Sequence, residues 1–427
     1  MTLNLNRPRL FRTRDESAGQ DRVTFIELFF DLVFVFAITQ LSHTIADHLS
    51  GRGLAEAAVI LVAVWWVWMY TAWATNWLDP ETGAVRLMLF GLMLLGLVLL
   101  GLVLLGLVLS TSIPGAFGDR AWGFAVTYVV MKVGRTAFLA WCYRAVDRTN
   151  GLNITRITIW FLASTSLWIL GALFGGDAQL PLWAAAILLE VVGPSVRYYT
   201  PFLGASPTSS WSVSGGHIAE RSGLFIILAL GESILVTGTA FSRGDLSVAA
   251  VGGVLATFVS TILFWLLYSS HGAEHGSRFI RSAQKTGPIA RLTYVYLHIP
   301  IVAGVVLSAV GDELALANPE DPPSPGGLAV VVGGPALYLI GTLLFKRSIG
   351  RPWLRSHLAG VAALALFYLA SATVLPAVDA VALLWITNAV VALVVIADEV
   401  STRRAASSEA IGEPGADGTQ NETAEFS

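Results

Sequence analysis

Glu27 and Asp31 stand four residues apart inside RVTFIELFFDLVFVFAITQLSH (Arg22–His43), an apolar run long enough to cross a bilayer. On a helix that spacing puts both carboxylates on one face, about one turn apart. A carboxylate within a membrane span costs about 2.5–3.5 kcal/mol on insertion scales, so it faces protein or water and has a partner. Asp31 is expected at depth, and Glu27 nearer the interface, where it caps or snorkels. The candidate counter-charges are Lys132 and Arg135, in the apolar stretch AVTYVVMKVGRTAFLAW. A charge-assisted Asp31–Arg135 pair would neutralise both groups in low dielectric. It reads either as a gate or protonatable site whose pairing changes during a cycle, or as a static bridge that fixes helix packing.

A second group lies in HIAERSGLFIILALGESIL, from His217 to Leu235. His217, Arg221, Leu228 and Glu232 fall within about 60° on a helical wheel. His217 and Arg221 are expected to share a contact with Glu220 at the membrane edge. Glu232, beside Gly231 and Ser233, sits deeper; it reads as a proton or cation site or as a hydrogen-bonded packing residue. Lys132 and His298 are its candidate partners, and Glu190 is a similar buried acid with less context. His271, Glu274 and His275 formally match the H-x-x-E-H zinc signature. That motif needs an uninterrupted helix, whereas Gly272 and Gly276 sit at the end of span eight and no third ligand follows, so it reads as a polar helix end. There is no Gly-rich phosphate loop and no Ser nucleophile with a recognisable base. No enzyme activity, metal or cofactor is expected, and the single Cys142 excludes an internal disulfide framework.

The elements that must position these groups are membrane helices. Only 13% of the 427 residues are charged, 55% are hydrophobic, and mean hydropathy is +0.68. The expected fold is all-α and polytopic, with twelve spans at about 23–46, 54–78, 84–112, 120–145, 153–175, 180–200, 216–241, 247–270, 287–311, 327–346, 356–375 and 378–399. Residues 1–21, with four arginines, read as a loosely ordered cytoplasmic arm, and 401–427 as a disordered cytoplasmic tail. Twelve spans with both termini inside put most of the 26 Lys and Arg on the cytoplasmic side. Only Arg52, Arg120 and Arg243 fall outside, and Lys132, Arg135 and Arg221 lie within spans. The basic residues from Arg278 to Arg291 can touch anionic lipid and do not form a nucleic-acid patch.

Span three holds a five-residue repeat with Gly91, Gly96, Gly101 and Gly106. Five residues turn a helix by about 500°, so these glycines spiral around it. They read either as a close-packing groove or as a low-complexity expansion facing lipid. The halves also echo each other: Glu27 and Glu220 open spans one and seven, aromatic residues fill spans two and eight, and Arg86 and Arg291 begin spans three and nine. This implies two parallel six-helix units, 22–200 and 201–400, as in parallel-repeat transporters.

The segments FIELFFDLVFVFAITQLSH (Phe25–His43) and HIAERSGLFIILALGESIL resemble the two hallmark motifs of the bacterial low temperature requirement protein A family, and Gly134–Thr136 and Tyr268–Glu274 also fit. The likeness runs over about residues 20–400. It implies a multi-pass protein of the bacterial cytoplasmic membrane. More remotely, Phe29–Leu41 is similar to the first-helix signature of non-standard potassium channels built from six-helix repeats. Asp31 matches that motif's Asp and Phe30 stands at its Ser, while the second half has Gly223 and Leu224 instead of the motif. The expected function is translocation of an ion or small solute, with Asp31 and Glu232 as charge-bearing sites. The competing expectation is a non-transporting component that senses or organises lipid in the cold. The expected partners are the bilayer and a monovalent cation, proton or small solute; a homo-oligomer is compatible with this reading.

Overall fold

The computed structural model describes residues 11, 23–97, 112–144, 146–207, 214–243, 247–269, 286–351, 354–373 and 378–412. Its elements are α1 (Phe25–Asp47), α2 (Gly51–Trp77), α3 (Gly83–Leu97), α4 (Ala121–Tyr143), α5 (Arg148–Phe174) and α6 (Gly176–Ser195), followed by α7 (Gly215–Arg243) and α8 (Val248–Ser269). Then come α9, α10 (Pro325–Ser348), α11 (Arg355–Thr373) and α12 (Ala380–Gly412). α9 is built from a short helix, Thr286–Ala290, a π-helical turn, Arg291–Tyr296, and a helix, His298–Ala317. The described residues contain no strand, only two isolated bridges, Phe11 to Leu78 and Thr200 to Gly204.

Eleven helices among the described residues are long and apolar enough to cross a membrane. The twelfth expected span is the third: α3 is its described beginning, and 98–111 lie outside the described residues. Of the arm, only Phe11 is described, its ring 4.7 Å from that of Tyr143. α12 extends as helix past residue 400 to Gly412; 413–427 lie outside the described residues.

The helix starts follow from local chemistry. Glu27 Oε2 accepts from the backbone N–H (3.0 Å) and the hydroxyl (2.9 Å) of Thr24 at the head of α1, which satisfies an orphan donor. Ser50 caps α2 through the Gly53 N–H at 3.0 Å, Asp147 caps α5, and Ser324 caps α10 just before Pro325. Large apolar side chains such as Phe25, Leu87, Leu366 and Leu393 stay on the outside, a surface that suits lipid. Inside, α1 packs against α2, α3, α7 and α9. Trp65, Trp66 and Trp68 of α2 are all buried, and Phe225 of α7 meets the rings of Trp65 and Trp68. The π-turn is held by side chains: Trp65 donates to the Val295 carbonyl (2.9 Å) and His298 Nδ1 lies 2.9 Å from the Thr293 carbonyl.

The closest helix contact joins α9 and α10, which run antiparallel. A Cβ at Gly304 would lie 2.6 Å from the Tyr338 nitrogen, at Gly334 2.6 Å from the Ser308 nitrogen, and at Gly341 2.8 Å from the Ile301 nitrogen. Gly311 stands against Val331 in the same register. Small residues at heptad spacing let the two backbones approach where no hydrophobic force separates helix from lipid. Of the span-three glycines, Gly91 has open space around it, and Gly96, Gly101 and Gly106 fall outside the described surroundings. Gly341→Leu should force the helices apart and cost about 1–3 kcal/mol by overpacking. Gly91→Ala should leave stability unchanged. Thermal unfolding of the two variants in detergent checks this, and equal melting would refute the packing role.

Candidate functional site

Two clusters of charge lie inside the bundle, and each reaches α2. The first forms where α1 and α7 begin and α2 ends. Glu27, Asp31, His217 and Arg221 are each no more than 1% exposed. Arg221 forms an ion pair with Asp31, donates to the Thr75 hydroxyl at 2.9 Å, and lies 3.7 Å from Glu27. The rings of Trp68 and Phe30 flank its guanidinium, at 5.6 and 5.9 Å from their centroids, within cation–π range. Asp31 Oδ1 also accepts from the Trp68 indole N–H at 2.7 Å. His217 Nε2 is 3.0 Å from Glu27 Oε1, and its Nδ1 is 3.2 Å from the Asn76 amide nitrogen. Helical spacing explains the assembly: positions 27 and 31 on α1 and 217 and 221 on α7 each make one-turn ladders that meet face to face.

The second cluster lies among α4, α5 and α6. Lys132 pairs with Glu190 and donates to Ser164 at 2.6 Å, while Ser164 (2.7 Å) and Trp168 (3.1 Å) donate to the same Glu190 oxygen. Tyr128 donates to the other oxygen at 2.5 Å. The Lys132 ammonium also stands 4.9 Å from the Tyr128 ring centroid. Arg135, one turn along α4, donates to the Val67 carbonyl (2.9 Å) and the Thr71 hydroxyl (3.1 Å) and faces the Tyr70 ring. Arg135 and Arg221 therefore grip hydroxyls of Thr71 and Thr75, one turn apart on α2. Asp31 nonetheless pairs with Arg221, and Glu190 with Lys132.

Several expectations change. Asp31 pairs with Arg221, not Arg135, because α7 and not α4 packs against that face of α1. Glu27 does cap α1, but it is fully buried and ionically engaged instead of snorkelling to an edge. Lys132 and His298 are taken by Glu190 and by Tyr268 with the Thr293 carbonyl. Glu190 thereby gains the context its sequence lacked. Glu220 is exposed, and His217 and Arg221 reach across to α1. The backbone of Glu232 lies in α7, but its side chain is outside the described residues, as are His271, Glu274 and His275.

Sequence reasoning missed a third buried pair, Lys346 with Asp398 at 2.6 Å, joined by Arg351 and beside the buried His357. Lys346 lies in the last turn of α10 and is buried. The signal was Asp398 within the apolar run VVALVVIADEV. Thr71, Thr75 and Asn76 were also missed, since lone hydroxyls and amides in a Trp-rich helix carry no pattern. Lys132→Met should destabilise the protein by about 3–5 kcal/mol by stranding Glu190, whereas Lys132→Met with Glu190→Leu should recover most of that loss. Denaturant titration of the single and double variants measures the difference; additive losses would rule out a coupled pair.

A family model described as bacterial low temperature requirement A protein (LtrA) matches residues 22–397. The chain is also similar to the uncharacterized protein RA0937 of Rhizobium meliloti (strain 1021), with 36% identity over 391 residues, covering 91% of this chain and 92% of that one. No solved structure matches it. Matched from the first motif through the last membrane helix, the chain belongs to the bacterial low temperature requirement A (LtrA) protein family.

Proposed function

We propose that this protein translocates an ion or small solute across the bacterial cytoplasmic membrane, with both termini on the cytoplasmic side. The observation that carries this reading is the set of six charged side chains, Glu27, Asp31, Lys132, Arg135, Glu190 and Arg221, buried inside membrane-length helices and gathered in two clusters against α2. Ionisable residues at such depth are rare and mark ion pathways and relays. A purely structural bundle would be served as well or better by apolar replacements, since buried ion pairs seldom add net stability. The first cluster draws its residues from both expected six-helix units, α1 and α2 from one and α7 from the other, which is where parallel-repeat transporters place their sites. The Thr71 and Thr75 hydroxyls, each within reach of an arginine, supply polar stepping points along α2.

The purified protein in liposomes tests this. Proton, potassium or solute flux above that of empty vesicles is expected over some range of pH and gradient. Asp31→Asn should lower the flux at least tenfold while the protein stays monodisperse. Flux no greater than vesicle leak under every gradient, or full flux in Asp31→Asn, would sink the proposal.

A further inference from the structure

Asp312 lies about one turn before α9 ends at Ala317. It is 3% exposed, yet among the described residues no hydrogen bond or ion pair reaches it. The other buried carboxylates, Glu27, Asp31, Glu190 and Asp398, each stand in an ion pair. A carboxylate buried with neither donor nor counter-charge is costly as an anion, and taking up a proton removes that cost.

Its neighbours one turn away set the face on which Asp312 opens. Ser308, one turn back, meets Gly334 of α10, and its hydroxyl is buried without a hydrogen-bond partner. Leu316, one turn on, meets Gly253 of α8 together with Val381 of α12: a Cβ on Gly253 would lie 2.7 Å from Leu316 and 3.2 Å from Val381. Asp312 therefore opens on the junction of α8, α10 and α12. α8 runs opposite to α9, which brings Thr257, one turn beyond Gly253, level with Asp312. At that level Asn388 of α12 donates to the Ala256 carbonyl at 2.7 Å, and Thr257 and Asn388 are both buried. On the other side of the Leu316–Val381 contact is an open pocket of about 490 Å3, at the end of the bundle opposite the start of α1. Val381 is part of its wall, with Trp385, Glu320 and Asp379. Asp379 caps α12 through the Ala382 N–H at 2.7 Å. Acids at the mouth of a cleft raise the local concentration of protons and cations.

Among the described residues, the helices packed on α9 turn no basic group toward Asp312. The one titratable side chain of α8, Tyr268, is at its far end against His298. On α10, Tyr338 donates to the Phe264 carbonyl, and Lys346 and Arg347 lie in the last turn, where Lys346 pairs with Asp398 of α12. Glu399, Arg403 and Arg404 lie farther along α12 still. α1 turns His43 to Glu313 and keeps Asp47 and His48 exposed at its end, and α2 pairs Arg52 with Glu56. His217, Glu220 and Arg221 belong to the opposite end of α7, and the side chain of Glu232 is outside the described residues. Arg291, Tyr294 and Tyr296 are at the start of α9.

We propose that Asp312 is a reversible proton-binding site, served from the acidic pocket through the Leu316–Val381 constriction. An O–H bond forms at its carboxylate with a proton from water and breaks to return it, with no change of oxidation state. In the translocation reading, on which this use of the site rests, the pocket is the outer entrance and Asp312 the first proton stop behind it.

Infrared difference spectra of the full-length protein in lipid, titrated in pH without any gradient, test the site itself. Asp312→Asn should remove a protonated-carboxyl C=O band that titrates in the wild type, and Glu313→Gln should keep that band. Asp312→Glu should shift the band without abolishing it, and this decides if Asp312→Asn does not fold. In vesicles with the pocket facing out, Leu316→Trp should slow the rise of the band after an external pH drop at least tenfold. No titrating band lost in Asp312→Asn, the same loss in Glu313→Gln, an unshifted band in Asp312→Glu, or an unchanged rate in Leu316→Trp would each overturn the proposal. A band abolished by sodium or potassium at fixed acid pH would assign the site to a metal cation and overturn it too. A titrating Asp312 without flux would count against translocation alone, and flux without a titrating Asp312 against the proton site alone.

Discussion

The lipid interior offers no water to a stranded charge, and the arrangement of this molecule follows from that. Arg221 is the centre of it. Its guanidinium is buried between the carboxyls of α1 and the hydroxyl of Thr75 on α2, with the aromatic rings of Trp68 and Phe30 nearby. Three helices from distant parts of the chain have to meet at one depth for that to hold. Removing any one of them would leave charge in a medium that cannot solvate it.

The same rule recurs elsewhere with different means. Lys132 and Glu190 neutralise each other, and every remaining oxygen of Glu190 is met by Tyr128, Ser164 or Trp168. Lys346 and Asp398 also pair, between α10 and α12. Arg135 has no carboxylate partner among the described residues and relies on a carbonyl, a hydroxyl and a tyrosine face. Arg135 and Arg221 grip hydroxyls a turn apart on α2.

Apolar packing sets the frame in which these contacts form. The α9–α10 glycines bring two backbones into direct contact, and the π-turn of α9 presents carbonyls that Trp65 and His298 occupy. Trp65 and Trp68, three residues apart on α2, therefore tie α2 both to that turn and to Asp31. The helix that carries the polar steps is held by its own tryptophans.

Much of the fold was legible from composition and span length, because hydropathy reports directly on the solvent a helix faces. The family was legible in FIELFFDLVFVF and HIAERSGLFIILALGESIL, and the capping of α1 by Glu27 in a spacing of three residues. The partners were not. Periodicity places Asp31 on a face of α1 but is silent on which helix covers that face, and matched depth made Arg135 as good a candidate as Arg221. The glycine repeat of span three, conspicuous in sequence, drew attention away from Gly304, Gly311, Gly334 and Gly341, whose spacing matters only once α9 and α10 lie antiparallel. Asn76 carried no signal at all, since its bonds to Ser214 and its approach to His217 exist only where α2 ends against the start of α7. Local sequence determined the helices, their caps and the residues that must not face lipid; the lateral order of the helices, set by packing between segments far apart in the chain, decided which charges meet.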